Sequence, residues 1–221
     1  MTFKSQLLGV LAAISTLACF SASASVSADP VRRATLQADF GAEAASADAR
    51  YVAWRVLADA DNQGLPFVIV DKKDARMFVF GPEGRLRGAS AALLGLASGD
   101  RSVPGIGEKE LSRILPAERT TPAGRFMSQP GRDLQGEHVV WVNYSEGLAI
   151  HRLRPGGSLE QRAKRLASAT PGDNRISLGC VVVPVSFYES VVTPMLGNNL
   201  SVVYVLPETQ SVRALFDART L

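Results

Sequence analysis

The chain has 221 residues, 46% of them apolar, and 24 Lys and Arg against 21 Asp and Glu give a formal net charge of +3. One domain of that length can bury a full core. The charge is small and interspersed, with no basic run and no aromatic interleaving, which excludes the footprint of a nucleic-acid-binding protein.

Residues 1–24 read as a secretory signal peptide: Lys4, an apolar run from Leu7 to Phe20, then Ala22-Ser23-Ala24. Cleavage after Ala24 lowers the net charge from +3 to +2 by removing Lys4. A start near Asp29, with Val26 and Ala28 as the recognised pair, is the other cleavage reading. A lipid anchor on Cys19 is the less favoured reading, because Thr16 stands where such signals carry Leu. The apolar run falls short of the roughly 20 residues that span a bilayer. A mature chain without a transmembrane anchor is therefore expected, exported to the periplasm or cell envelope.

Residues 25–65 are expected to form an N-terminal helical segment. In "SADARYVAWRVLADA", Val52, Val56 and Asp59 share a face at helical spacing, with Tyr51, Trp54 and Leu57 near it. Ser46 or Asp48 can cap its start, and "DNQGLP" breaks it.

Residues 66–207 carry a mainly β pattern. Phe67–Val70 and Met77–Phe80 are β-branched and aromatic runs, separated by Asp71-Lys72-Lys73-Asp74 and followed by the turn Gly81-Pro82-Glu83-Gly84. They predict a three-stranded meander. From Gly95 to Gly136 the density of Gly, Pro, Arg and Glu predicts a long irregular segment of the kind that carries function. Within it Gly105-Ile106-Gly107 is read as loop, since the third glycine and the leading strand of a nucleotide-binding motif are missing. Strands resume at 139–144 and 148–151. "SLEQRAKRLASA" predicts a short surface helix, residues 180–183 a buried strand stopped by Pro184, "VSFYESVVTPML" a helix, and "NLSVVYVLP" a last strand. Residues 208–221 are left as a C-terminal tail.

The chemistry concentrates on two residues. With Cys19 removed, Cys180 is an odd cysteine in an exported protein, which means intermolecular pairing or a reactive thiol. A thiol is nucleophilic as its thiolate, and an imidazole can hold it there. Of the two histidines, His138 and His151, the second ends an apolar strand, and its separation of 29 positions from Cys180 lets two strand ends meet. Gly179 frees the backbone so that N–H groups around Ser177, Leu178, Gly179 and Cys180 can converge on an oxyanion. His138 is read as a surface residue without a catalytic task. Arg125, Arg152, Arg154 and Arg175 are candidates for gripping a substrate carboxylate.

The succession "VIVDKKDARMFVF", "RTTPAGRF", "LAIHRL", "NRISLGCVVVP" resembles the L,D-transpeptidase (YkuD-type) catalytic domain, which carries a Thr-Pro-x-Gly-x-Phe loop, a strand-borne His and a Ser-His-Gly-Cys segment. The resemblance covers roughly Pro66 to Pro207. It implies a β-sandwich domain with a few helices, here preceded by the N-terminal amphipathic helix. It also implies Cys180 as nucleophile, His151 as its base, and the Arg152 carbonyl as orienter of the ring. Gly179 and Leu178 would supply the oxyanion backbone, and Arg175, Ser177 and Arg152 would touch substrate. Three departures stand out: Leu178 in place of the second His, Val182 where a polar residue is usual, and a longer spacer, "SLEQRAKRLASATPGDN", that is either a lid or a decoration.

The reaction implied is transfer of a peptidoglycan stem-peptide acyl group through a Cys180 thioester, with an L,D-carboxypeptidase or a silent wall-binding homologue as alternatives. A redox or dimerising thiol would leave His151 and the Thr121–Phe126 loop without a role. Peptidoglycan stem peptides are the expected partners of a monomeric protein, and no cofactor or metal is expected.

Overall fold

The computed structural model describes residues 37–154 and 159–217. The expected signal peptide, both cleavage positions and the end of the C-terminal tail lie outside the described residues.

Helix α1 (Ala47–Ala58) is capped by Ser46, whose Oγ accepts the Ala49 N–H. The same Oγ donates to Asp71 Oδ2 at 2.5 Å, fastening the helix start to the end of the first strand. Its buried face is Ala49, Val52, Ala53, Val56 and Leu57. Trp54, expected near that face, is 37% exposed, because two residues from Val52 is about 200° around a helix.

The main sheet has eight strands in the order β3-β2-β1-β10-β5-β6-β7-β9. The predicted meander is β1 (Phe67–Asp71), β2 (Arg76–Phe80) and β3 (Leu86–Ala91). The last predicted strand, β10 (Ser201–Val205), inserts beside β1 as a parallel neighbour. Both are buried at every position, as continuous apolar runs require when both faces of a sheet are covered. α1 covers one face, against Phe67, Ile69, Phe78, Phe80, Val202 and Tyr204. Each large side chain so buried contributes roughly 1.5–3 kcal/mol.

The stretch expected to be irregular instead contains a nine-residue strand, β5 (Gly124–Arg132). It pairs with β10 over Gly124–Ser128 and then with β6 over Gln129–Arg132. Its glycines and Pro130 hide it from pattern reading. This change of partner folds the sheet over. Val68, Val70, Met77 and Val79 on one side share a core with Val140, Ile150, Val181 and Val183 on the other. Between them pack Tyr188, Val192 and Leu196 of a helical segment built from Val185–Phe187, a π-helical Tyr188–Val192 and Thr193–Leu196. The result is the mainly β, sandwich-like architecture expected.

The remaining main-sheet strands are β6 (His138–Asn143), β7 (Leu148–Arg152) and β9 (Val181–Val183). A short parallel pair joins β4 (Leu94–Gly95) to β8 (Arg175–Ser177). The inserted spacer contains helix α2 (Leu159–Leu166), whose Leu166 is buried with Leu93, Leu153 and Val182. A final short helix, α3 (Val212–Phe216), falls in the expected tail. No described helix is long and apolar enough to cross a membrane.

Candidate active site

β7 and β9 pair in parallel, with Ile150 opposite Val181 and His151 opposite Val182. Because side chains alternate along a strand, Ile150, Val181 and Val183 enter the core. Ala149, His151, Cys180 and Val182 are then left to the other face, and all four line one groove of about 560 Å³. Its far wall comes from the 102–122 segment and the β5–β6 and β6–β7 turns, with Ile106, Ile114, Leu111, Trp141 and Tyr144 as apolar lining. Gly107 packs so closely on the β6–β7 turn that a Cβ there would lie 2.2 Å from the Ser145 carbonyl. The Gly-x-Gly is thus a packing device of that wall.

His151 Nδ1 lies 2.9 Å from the Arg152 carbonyl. A carbonyl can only accept, so Nδ1 carries the proton and Nε2 keeps its lone pair. Burial pushes the imidazole down to about 4, with the charges of Arg154 and Arg162 acting in the same direction and the Arg152 carbonyl and Asp133 opposing.

Cys180 is half-buried, and its Sγ donates to the Gly147 carbonyl at 3.4 Å. Burial raises the thiol above its ordinary value, against a backbone hydrogen bond from Ala149 and the charge of Arg154. No His151–Cys180 hydrogen bond occurs among the described residues. Desolvation disfavours the charged form of both groups, which works against the expectation that an imidazole holds the thiolate.

The turn before Cys180 is held from behind. Gly179 has φ +140°, which favours glycine, and a Cβ on it would sit tightly at 3.0 Å from the Thr120 carbonyl. Its N–H donates to Ser177 Oγ at 3.1 Å, while that hydroxyl donates to the Cys180 carbonyl at 2.6 Å. The Gly179 N–H is therefore committed within the turn and is not a spare oxyanion donor. Ser177 is a brace of the turn, its hydroxyl occupied. Thr121 Oγ1 donates to the Gly179 carbonyl at 2.7 Å and accepts the Gly95 N–H at 2.9 Å.

Behind Thr121 lies Lys72, wholly buried. Its Nζ donates to the carbonyls of Gly99 at 2.5 Å and Thr121 at 2.9 Å and to Asp100 Oδ1 at 2.8 Å, with Glu208 Oε1 at 3.4 Å. Burial works to raise the Asp100 carboxyl, but hydrogen bonds from Lys72, Thr209 and the 208–209 backbone hold it far below the usual range.

Two expected substrate contacts are corrected. Arg175 pairs with Glu208 and donates to the Lys72 carbonyl at 2.9 Å, and its side chain does not line the groove. Arg152 does not line the groove: its carbonyl holds His151 Nδ1, and its guanidinium reaches Glu137 and Glu189, both at 3.3 Å. Arg125 is likewise tied to Asp61, at 2.7 Å. Arg154 does line the groove, paired with Asp133. Leu178 and Val182 line it too, Val182 almost wholly buried. His138, read as a surface residue without a catalytic task, is half-buried and outside the groove lining: Nδ1 lies 2.9 Å from Tyr188 Oη and Nε2 3.1 Å from the Gly197 carbonyl, bridging β6 to the helical segment. Sequence reasoning missed Arg162 and the supporting role of Lys72. No group of three or more His, Cys, Asp or Glu suited to a metal occurs among the described residues.

No protein-family model and no curated protein matches the chain. Solved structures do. The L,D-transpeptidase from Mycobacterium smegmatis is 15% identical over 63% of this chain and 58% of its own, with a TM-score of 0.36. An L,D-transpeptidase from Mycobacterium tuberculosis H37Rv is 17% identical over 63% and 57%, with a TM-score of 0.39. The helical cell shape determining protein Pgp2 from Campylobacter jejuni is 15% identical over 71% and 54%, with a TM-score of 0.40. The likeness is one of fold, and this chain spans a little over half the length of those chains.

Proposed function

We propose that the protein is a cysteine-dependent acyltransferase of the L,D-transpeptidase type, exported and acting on peptidoglycan stem peptides. The observation that carries this reading is the β7–β9 register, which sets His151 and Cys180 on one face of one groove. The ordered motifs from Val68 to Pro184 support it. Nε2 of His151 takes the Cys180 proton as Sγ attacks the carbonyl of the stem's third residue. Collapse of the tetrahedral intermediate breaks the C–N bond to the terminal D-alanine, whose amine receives that proton, and leaves a thioester. An acceptor amine, deprotonated by His151, then forms the new amide and releases the thiol. The Leu178 and Cys180 N–H groups are assigned the oxyanion, since that of Gly179 is occupied; one such donor is often worth about 2.7–4 kcal/mol. Since burial favours the neutral form of both groups, this reading has the proton move during attack, as in general-base catalysis.

The test is to incubate the protein with muropeptide tetrapeptides and weigh the products. Cross-linked dimers are expected, and tripeptides would indicate a carboxypeptidase on the same thioester. A carbapenem should add one-to-one at Cys180 and fail to do so in Cys180→Ala. A second reading, a silent wall-binding homologue, is favoured by the thiol's bond to Gly147 rather than to His151. Absence of any adduct under acylating conditions would select it.

A further inference from the structure

Four cationic side chains line the groove: Lys109, Arg132, Arg154 and Arg162. Three are answered from within the protein. Lys109 pairs with Glu118 at 2.5 Å, Arg132 donates to the Gly136 carbonyl at 2.6 Å, and Arg154 pairs with Asp133 and donates to Gln135 Oε1 at 3.1 Å. Arg162 has no ion pair or hydrogen bond among the described residues, and its Nε is buried without a partner.

Other buried polar atoms without a hydrogen bond have milder explanations. Arg76 reaches Glu43 through Nη2 at 2.6 Å, Arg154 Nε faces Glu137 Oε2 at 3.6 Å, and Asn174 carries no charge. Burying part of a guanidinium without a partner is costly unless something arrives to meet it. The helix brings it there on purpose of geometry: Leu166, four residues on and on the same face of α2, is buried against Leu93, Leu153 and Val182 beside the site. α2 thus packs against the core beside the groove through Leu166 and contributes Arg162 to its lining.

We propose that Arg162 is the anion-binding residue of this groove, gripping a free carboxylate of the acyl donor and making the site selective for donors that carry one. A planar guanidinium suits a carboxylate bidentately. The term "donor" rests on the acyl-transfer reading; the anion site does not. The charge of Arg162 is also one of the forces that keep His151 unprotonated, together with Arg154 and against Asp133. A bound carboxylate cancels it, so an occupied groove leaves the imidazole readier to take the thiol proton than an empty one.

The experiment measures how well N-acetyl-L-lysyl-D-alanine and its C-terminal amide each protect Cys180 from iodoacetamide, read by peptide mass spectrometry. The acid-to-amide ratio within each variant is the readout, so general changes in thiol reactivity cancel. The wild type should favour the acid by about 10-fold or more, in line with a charge-assisted pair. Arg162→Gln should bring the ratio to about 1, and Arg162→Lys should keep part of it. Equal protection by acid and amide in the wild type, protection by neither, or a preference that survives Arg162→Gln overturns the proposal. Thioester formation is scored separately with tetrapeptide. An adduct without acid preference removes the role of Arg162 alone, whereas Arg162-dependent protection without an adduct removes acyl transfer alone.

Discussion

Replacing Thr121 with Val removes one buried hydroxyl and changes little else in shape. That hydroxyl holds two backbone groups of different elements, the Gly179 carbonyl at 2.7 Å and the Gly95 N–H at 2.9 Å. Thr121 is wholly buried, so neither group gains water in exchange. An unmet buried donor or acceptor costs roughly 1–3 kcal/mol, and two of them, less a small gain from the added methyl, give an expected loss of about 2–4 kcal/mol. Thr121→Ser keeps the hydroxyl and should lose far less. Urea unfolding followed by circular dichroism measures both. Because the carbonyl that is released belongs to the residue before Cys180, thioester formation should also slow in the Val variant and recover in the Ser variant. A stability loss under about 0.5 kcal/mol, the range of ordinary surface changes, would show that these bonds do not hold the cysteine turn.

Lys72→Met leaves Asp100 and two carbonyls without their cation, and breaking a buried pair from one side typically costs about 3–5 kcal/mol; a loss below about 1 kcal/mol in urea unfolding would contradict the network described. Gly179→Ala should destabilise by more than about 1 kcal/mol and slow carbapenem acylation, and a wild-type acylation rate would refute the reading of its φ of +140°. For His151, the folded ring protonates at about 4 and an unfolded one at 6.5. Between those values the unfolded chain binds a proton that the folded chain refuses, so stability should fall as pH drops from 6.5 towards 4, by at most about 3 kcal/mol. Subtracting the profile of His151→Gln isolates this, because the low-lying Asp100 acts in both proteins; parallel profiles would exclude it.

Much of the scaffold was legible because its strands are apolar runs bounded by turn residues. Phe67–Val70, Met77–Phe80 and Val181–Val183 declare themselves by composition, and Ser46 by its place ahead of a periodic stretch. β5 was not legible, since Gly124, Pro130 and Gly131 read as loop and only its two different partners make it a strand. Cys180 and His151 stand out in a chain with two cysteines and two histidines, and both line the groove. The arginines do not stand out. A guanidinium's role depends on which carboxylate reaches it first, and Glu208, Glu137 and Asp61 come from 33, 15 and 64 residues away. Arg162 is distinguished only by what fails to meet it, which no local pattern encodes.

The protonation state of the pair was beyond sequence for the same reason. Spacing lets a thiol and an imidazole reach one groove, yet whether they share a proton depends on how far each is buried, which only the fold decides. With both groups desolvated, ionisation has to be driven by something that enters. The incoming carbonyl offers a place for the sulfur's charge, and an anionic group at Arg162 lifts the local positive potential from His151. On the proposed reading Val182 and Leu178 are apolar parts of the groove lining, and the inserted helix would supply through Arg162 a charge that the cysteine segment itself lacks.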